Sequence, residues 1–174
     1  MGSATLLVLS DTHLGAELDR LPPEVWALAD EADAILHAGD VTGPELLAAL
    51  AERAPLHAVL GNNDRGLERT LPEVRELELA GVRLAMVHDS GPTAGRAARL
   101  RRRFPDAAVV VFGHSHDPVV ERGDDGLLLV NPGSPTQRRR QPVHTVARLE
   151  LADGEVRAAE IVPVGPLATG DRPR

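Results

Sequence analysis

The apolar positions follow two rhythms along the chain. Residues 4–10 (ATLLVLS) are a short continuous apolar run that stops at polar residues, the pattern of a strand buried on both faces. Residues 23–33 (PEVWALADEAD) instead put Val25, Leu28 and Ala29 at helical spacing, with proline in the first turn, where its missing N–H costs nothing. Residues 34–37 predict a second strand, 43–53 a second helix and 56–60 a third strand. This β-α-β-α-β order predicts parallel strands joined by right-handed crossovers. The second half differs. Residues 74–80 and 82–88 read as antiparallel strands around Gly81, 93–104 as a helix with an Arg-rich face, and 107–112 as a buried strand. Residues 117–122, 126–131, 143–151 and 155–162 read as a meander, turning at Asp124-Asp125-Gly126 and Asp153-Gly154. The expected fold is α/β, with a parallel first half and an antiparallel second half packed as two mixed sheets flanked by helices. Residues 1–174 are expected to form a single domain, its core at about 4–162 and its tail, 163–174, fraying.

Composition narrows the chemistry. A chain of 174 residues can bury a core of its own. With one Trp, two Phe and no Tyr, that core is built from Leu, Val and Ala, and Trp26 is expected in it. The absence of Cys excludes disulfides, thiolate metal sites and Cys nucleophiles. All nineteen basic residues are Arg, which excludes a Schiff-base or P-loop Lys. The net charge of −7 argues against extended nucleic acid as a partner. No run approaches the roughly 18 apolar residues of a membrane span, and no secretory signal is visible. The expectation is a cytoplasmic protein without a membrane partner.

The chemistry gathers where strands stop. The first predicted strand ends in Ser10-Asp11-Thr12-His13, the second in Gly39-Asp40 and the third in Gly61-Asn62-Asn63-Asp64. The strand at 82–88 ends in His88-Asp89, and that at 107–112 in Gly113-His114-Ser115-His116. Carboxyl ends of parallel strands form the ligand crevice of α/β sheets, so five such ends can bring distant residues to one point. Carboxylate, imidazole and amide donors without thiolate fit Mn, Fe, Ni, Co or Zn better than Ca or Mg. The Asp-x-His and His-x-His spacings, read as extended chain, put both side chains on one side. Glycines before Asp40, Asn62 and His114 are expected to allow tight turns.

This ordered set, Asp-x-His, Gly-Asp, Gly-Asn-x-Asp, His-Asp and Gly-His-x-His, resembles the calcineurin-like metallophosphoesterases. Within them it is similar to the small YfcE-type phosphodiesterases, whose further element Asn131-Pro132-Gly133-Ser134 matches. The resemblance spans residues 5 to about 162 and implies an α/β/β/α sandwich holding two divalent ions, manganese first among the candidates. One ion would be held by Asp11, His13, Asp40 and His116, the other by Asp40, Asn62, His88 and His114, with Asp40 shared. A hydroxide between them would attack a small phosphoester substrate. A homodimer is consistent with the resemblance. Many relatives carry a His, thought to protonate the leaving oxygen, where this chain has Asn63. An amide cannot do that, so esters with good leaving groups are expected, diesters ahead of alkyl monoesters, with a metal-bound water, or Asn63 with Asp64, as partial substitutes.

Other residues carry plainer expectations. His37 is read as a core imidazole bonded to backbone or carboxylate, and His57 and His144 as structural or surface residues. Asp64 is expected to orient His13 or the Asn62 loop, and Arg65 to bind a phosphate oxygen or a surface carboxylate. Arg101, Arg102 and Arg103 read as a solvated helix face. Arg138, Arg139 and Arg140 read mainly as solvated, one of them meeting an anionic substrate if their loop lies over the metals. The competing functions are a non-catalytic interaction module on the same fold, as in the eukaryotic retromer subunit, a phosphomonoesterase and a nuclease. The complete ligand set argues against the first, Asn63 against the second and net acidity against the third.

Overall fold

In the computed structural model of the chain, which describes residues 2–165, the first strand, β1 (Ser3–Leu9), is apolar throughout because both of its faces are covered. Leu6 and Val8 face a second sheet, while Leu7 and Leu9 face helices α1 (Pro23–Glu31) and α2 (Pro44–Ala51). Alternate residues of a strand point to opposite faces, so a continuous apolar run is what this position needs. β1 pairs in parallel with β2 (Ala34–His37), and β2 with β3 (Leu56–Ala58), the β-α-β-α-β unit expected.

The second sheet contains β4 (Val74–Leu79), β5 (Val82–Val87), β6 (Val109–Val111), β7 (Val119–Arg122) and β8 (Leu128–Asn131) in the order β4-β5-β6-β8-β7. β5, β6 and β8 run parallel, so the second half is mixed rather than antiparallel. The expected meander is split between the sheets. β7 pairs with β8 in the second sheet, whereas β9 (His144–Ala152) and β10 (Glu155–Val164) complete the first in the order β10-β9-β1-β2-β3. The apolar alternation of β9 demanded burial, and the free side of β1 supplied it in register from Ser3 opposite Ala152 to Val8 opposite Ala147.

The inner faces pack as one core that includes Leu36, Leu84, Met86, Val111, Val130 and Leu149. The second sheet's outer face buries Val110, Phe112 and Leu129 under α3 (Arg96–Arg103), which contributes Leu100. The layers are therefore helix, sheet, sheet, helix. α3 starts three residues later than expected, after Gly95 in the left-handed conformation (φ 69). Its arginines are not simply solvated. Arg101 donates to the Asp125 carboxylate and to the carbonyls of Pro105 and Ala107, and the Arg103 guanidinium stacks on Phe104. Trp26 is half-buried, with Arg53 over its ring. The expected fraying from Pro163 does not begin there: Pro163 pairs with Thr145 on edge strand β10, where proline is tolerated. The remainder of that expectation, 166–174, lies outside the described residues. Among the described residues no helix is long and apolar enough to cross a membrane.

Candidate metal centre

The carboxyl ends of β1, β2 and β3 in one sheet and of β5 and β6 in the other open onto the same point. The loop after β1 continues the ladder with the loop after β2, Asp11 N–H donating to Gly39 O and His13 N–H to Asp40 O, both at 2.9 Å. Across the sheets, His88 Nδ1–H donates to Ala38 O at 2.7 Å. Five turns that are distant in sequence thus share one centre.

The backbone there is not extended. Asp11 (φ 55), His13 (φ 46), Asp40 (φ 59), Thr42 (φ 68), His114 (φ 71) and His116 (φ 61) all occupy the left-handed region. In an extended strand residues i and i+2 stand about 6.6 Å apart with parallel side chains. Alternate left-handed residues curl each loop instead, and His13 Nε2 comes to 3.9 Å from Asp11 Oδ1. The expectation of extended Asp-x-His and His-x-His pairs is corrected accordingly. Each such residue costs on the order of 1 kcal/mol, although Asp and His tolerate the region better than most. Of the three glycines expected to turn tightly, only Gly39 has a positive φ (95). Gly113 is needed for space: a Cβ there would overlap Ser10 Oγ and stand 2.6 Å from Asp11 Oδ2. Gly61 likewise lies against Asp40.

The seven expected ligands form one continuous cluster. His116 Nε2 lies 3.4 Å from Asp11 Oδ1. Asp40 Oδ2 lies 3.5 Å from His13 Nε2 and 3.4 Å from His88 Nε2. Asn62 Oδ1 is 3.0 Å from His88 Nε2 and 3.1 Å from His114 Nδ1. Two donors about 2.1 Å from one ion, roughly 90–110° apart, are separated by about 3.0–3.4 Å, the spacing seen here. Two triads stand out, Asp11 with His13 and His116, and Asp11 with Asp40 and His88. Asp11 thus reaches both groups, as does Asp40. His114 and Asn62 are exposed while Asp11 and His116 are buried, so the cluster opens to solvent on the Asn62–His114 side.

The donor atoms are prepared for a cation. Asp11 Oδ1, His13 Nε2 and His116 Nε2 are buried without a hydrogen-bond partner, a costly state for polar atoms unless something binds them. Asp11 Oδ2, by contrast, accepts from Ser10 Oγ–H and His114 N–H. His88 and His116 give their Nδ1 protons to Ala38 O and Gln137 O, which leaves each Nε2 lone pair facing inward. Burial pulls the His88 imidazole towards neutrality, but the neighbouring Asp40 and Asp11 carboxylates outweigh it and raise its pKa. Burial opposes ionisation of Asp11 and Asp40, yet the His116 imidazole and the Ser10 hydroxyl beside the first, and the His88 imidazole and the Asn63 N–H groups beside the second, hold both below the usual carboxylate range. Burial keeps His13 below its ordinary value, with Asp40 and Asp11 opposing. The centre is an anionic, partly dehydrated nest of nitrogen and oxygen donors, and it fits divalent ions.

Of the two roles expected of Asp64, bracing of the Asn62 loop is matched by its hydrogen bond from Gly61 N. Asp64 is buried and does not meet His13. Its Oδ2 accepts from Asp40 N (2.9 Å) and Gly61 N (2.7 Å), and its Oδ1 from Thr42 N (2.7 Å). It positions the left-handed Asp40–Thr42 loop. Asn63 donates from its backbone N to Asp40 Oδ1 and from Nδ2 to Asp40 Oδ2, both at 2.8 Å, so its amide is engaged in orienting a ligand. Arg65 is exposed. His37 matches its reading: Nδ1 accepts from Gly39 N–H, so the Nε2 proton goes to Thr12 Oγ1, and full burial pushes its pKa down to about 4. His57 is half-buried.

The 131–137 segment had a motif but no role in the sequence. Ser134 Oγ–H donates to Asp11 O, Thr136 Oγ–H to Thr12 O, and Gln137 O holds His116. Asn131 Nδ2–H donates to Gly113 O and Ser115 Oγ. This loop braces the β1 and β6 ends together. Only the run of hydroxyl and amide residues after the motif hinted at it.

A cleft of about 270 Å³ leads away from the centre, lined by Asn62, His88, Leu60, Val87, Glu73 and Arg103 among others.

A model of the calcineurin-like phosphoesterase superfamily domain matches residues 5–154. A protein of Methanothermobacter thermautotrophicus described as a probable metallophosphoesterase is 35% identical over 161 residues, 91% of each chain. Among solved structures, a predicted phosphoesterase from Streptococcus pneumoniae TIGR4 superposes with a TM-score of 0.73 at 24% identity over 95% of both chains. Vacuolar protein sorting 29 from Cryptosporidium parvum gives 0.74 at 19% identity, over 92% of this chain and 98% of the other. A novel archaeal phosphodiesterase gives 0.70 at 18% identity, over 91% of this chain and 99% of the other. At these identities the structural likenesses establish the fold.

Proposed function

This chain belongs to the calcineurin-like phosphoesterase superfamily, and on that premise we propose that it is a phosphodiesterase working with two divalent ions, manganese first among the candidates. The carrying observation is the convergence of the partnerless Asp11 Oδ1, His13 Nε2 and His116 Nε2 on Asp40 and His88. In this reading Asp11, His13, Asp40 and His116 hold one ion, and Asp40, Asn62, His88 and His114 the other. Bound there, the ions supply a water-derived nucleophile at neutral pH and offset charge on the phosphoryl oxygens.

The chain's own residues do the rest. Asp11 and Asp40 supply the anionic oxygens, held ionised by their hydrogen bonds. Asn63 and Asp64 lock the Asp40 loop, the one through the carboxylate and the other through the backbone. The open Asn62–His114 side admits the ester. Asn63 is an amide and cannot protonate a leaving oxygen, and the Asp64 carboxyl is engaged by three backbone N–H groups. A missing general acid typically costs about 10²–10⁴ in rate, which favours leaving groups that depart without protonation and so supports the diester reading. The likeness to a solved archaeal phosphodiesterase accords with it. The complete donor set favours catalysis over an interaction module alone.

The test uses metal-stripped protein with bis-p-nitrophenyl phosphate and p-nitrophenyl phosphate, with and without Mn²⁺. Mn²⁺-dependent hydrolysis faster on the diester is expected. No stimulation by Mn²⁺, or full activity in Asp40→Asn, refutes the proposal.

A further inference from the structure

Arg139 brings its charge to the open side of the metal centre. Its guanidinium Nη1 reaches the backbone oxygen of His114 at 3.4 Å, and its positive charge acts on His13. The loop that carries it is pinned to the centre at successive points: Ser134 to Asp11 O, Thr136 to Thr12 O, and Gln137 O to His116. Arg139 itself sits in the left-handed region (φ 52) although it is not glycine. A long, β-substituted residue in that conformation is strained, and such strain is found where the surroundings hold a side chain for use. Its neighbour is placed otherwise. Arg138 Nη1 donates to Gln141 O, on its own loop.

The contact with His114 O is long and occupies a single N–H of the five that a guanidinium offers. Its position beside two donor residues on the solvent-open side, with this capacity left over, suits an anion seated against the centre. We propose that Arg139 is a substrate-binding residue that grips a non-bridging phosphoryl oxygen of the ester. The guanidinium fork matches two oxygens of a phosphate or phosphorane in a way an ammonium does not. As charge accumulates on those oxygens during attack, the grip tightens, so Arg139 acts on turnover as well as on binding. This assignment rests on the phosphoesterase reading for its substrate, but the anion site itself can be tested without turnover.

The experiment measures binding of inorganic phosphate to Mn²⁺-loaded protein by isothermal titration calorimetry, with Mn²⁺ affinity and thermal midpoint recorded for every variant. Arg139→Gln is expected to weaken phosphate binding about tenfold to a hundredfold, the loss of charge-assisted hydrogen bonds, with Mn²⁺ affinity unchanged. Arg139→Lys is expected to fall between them. Arg139→Gly relieves the backbone strain, so its midpoint should match or exceed wild type while phosphate binding is lost; a purely structural arginine would show a lower midpoint. Arg140→Gln should bind as wild type. Phosphate affinity unchanged in Arg139→Gln overturns the proposal. So does an equal loss of Mn²⁺ affinity, which would assign Arg139 to holding the centre together, and so does a wild-type protein that binds Mn²⁺ but no phosphate. If phosphate binding depends on Arg139 and yet no ester is hydrolysed, the anion site stands and the hydrolase reading fails.

Discussion

Replacing Asp64 with Asn separates a positioning role from a chemical one. The carboxylate accepts three backbone N–H groups, from Asp40, Gly61 and Thr42, at 2.7–2.9 Å while 2% exposed. An Asn side chain keeps one oxygen. Placed at the Oδ2 site, it retains the Asp40 and Gly61 bonds without charge assistance, losing about 1 kcal/mol on each. Its NH₂ then faces the Thr42 N–H donor to donor, so that bond, worth about 1.5–3 kcal/mol, is lost outright. Relief of carboxylate burial offsets part of this. The expected net destabilisation of metal-free protein is about 2–4 kcal/mol, or a fall in melting temperature of roughly 5–15 °C for a domain of this size. Because the Asp40 loop loosens, Mn²⁺ affinity should fall by about 10–100-fold. At saturating Mn²⁺, however, kcat should stay within a few-fold of wild type. The assays are urea denaturation, Mn²⁺ titration and diester turnover at saturating metal. A kcat lower by about 10²–10⁴ with metal bound is the signature of a lost acid or base, and it would refute the positioning role. An unchanged stability would refute the hydrogen-bond argument.

His37 predicts a pH dependence. Its pKa is about 4 in the folded protein and near 6.5 when unfolded, so the unfolded chain binds the proton first as pH falls. Stability is fully present above about pH 6.5 and declines as pH falls to about 4, by up to roughly 3 kcal/mol. Denaturation of metal-free protein across that window checks it, and His37→Gln should flatten the decline; an equal slope in the variant removes His37 as its cause. Gly113→Ala is expected to destabilise by at least about 1–3 kcal/mol and to weaken Mn²⁺ binding, since its methyl must displace Ser10 or Asp11. Wild-type Mn²⁺ affinity in that variant would show that the site tolerates the shift.

Much of the fold was legible because burial on two faces writes itself into composition. The runs at β1, β2 and β6 could only be interior strands, and α1 and α2 showed helical spacing. The assignment of strands to sheets was not legible. β8 and β9 are both apolar strands, yet one pairs with β6 and the other with β1, a choice made by non-local pairing that no local pattern records. Asp64 shows the same limit at the site. The sequence suggests an orienting carboxylate for His13 or the Asn62 loop, but only the three converging N–H groups show that it holds Asp40 and Thr42 as well.

The sequence by itself determined which donors exist, that none is a thiolate, and that they stand at five strand ends in an order suited to a shared centre. Side-chain chemistry and short-range periodicity suffice for that. Only the tertiary structure decided that Asp11, His13, Asp40, His114 and His116 turn inward through left-handed backbone, that Asn63 and Asp64 hydrogen-bond to Asp40 and its loop, and that Arg139 arrives beside His114. Those outcomes depend on hydrogen bonds between loops as many as 124 residues apart, such as Thr136 to Thr12, and these form only once both sheets have closed around the same edge.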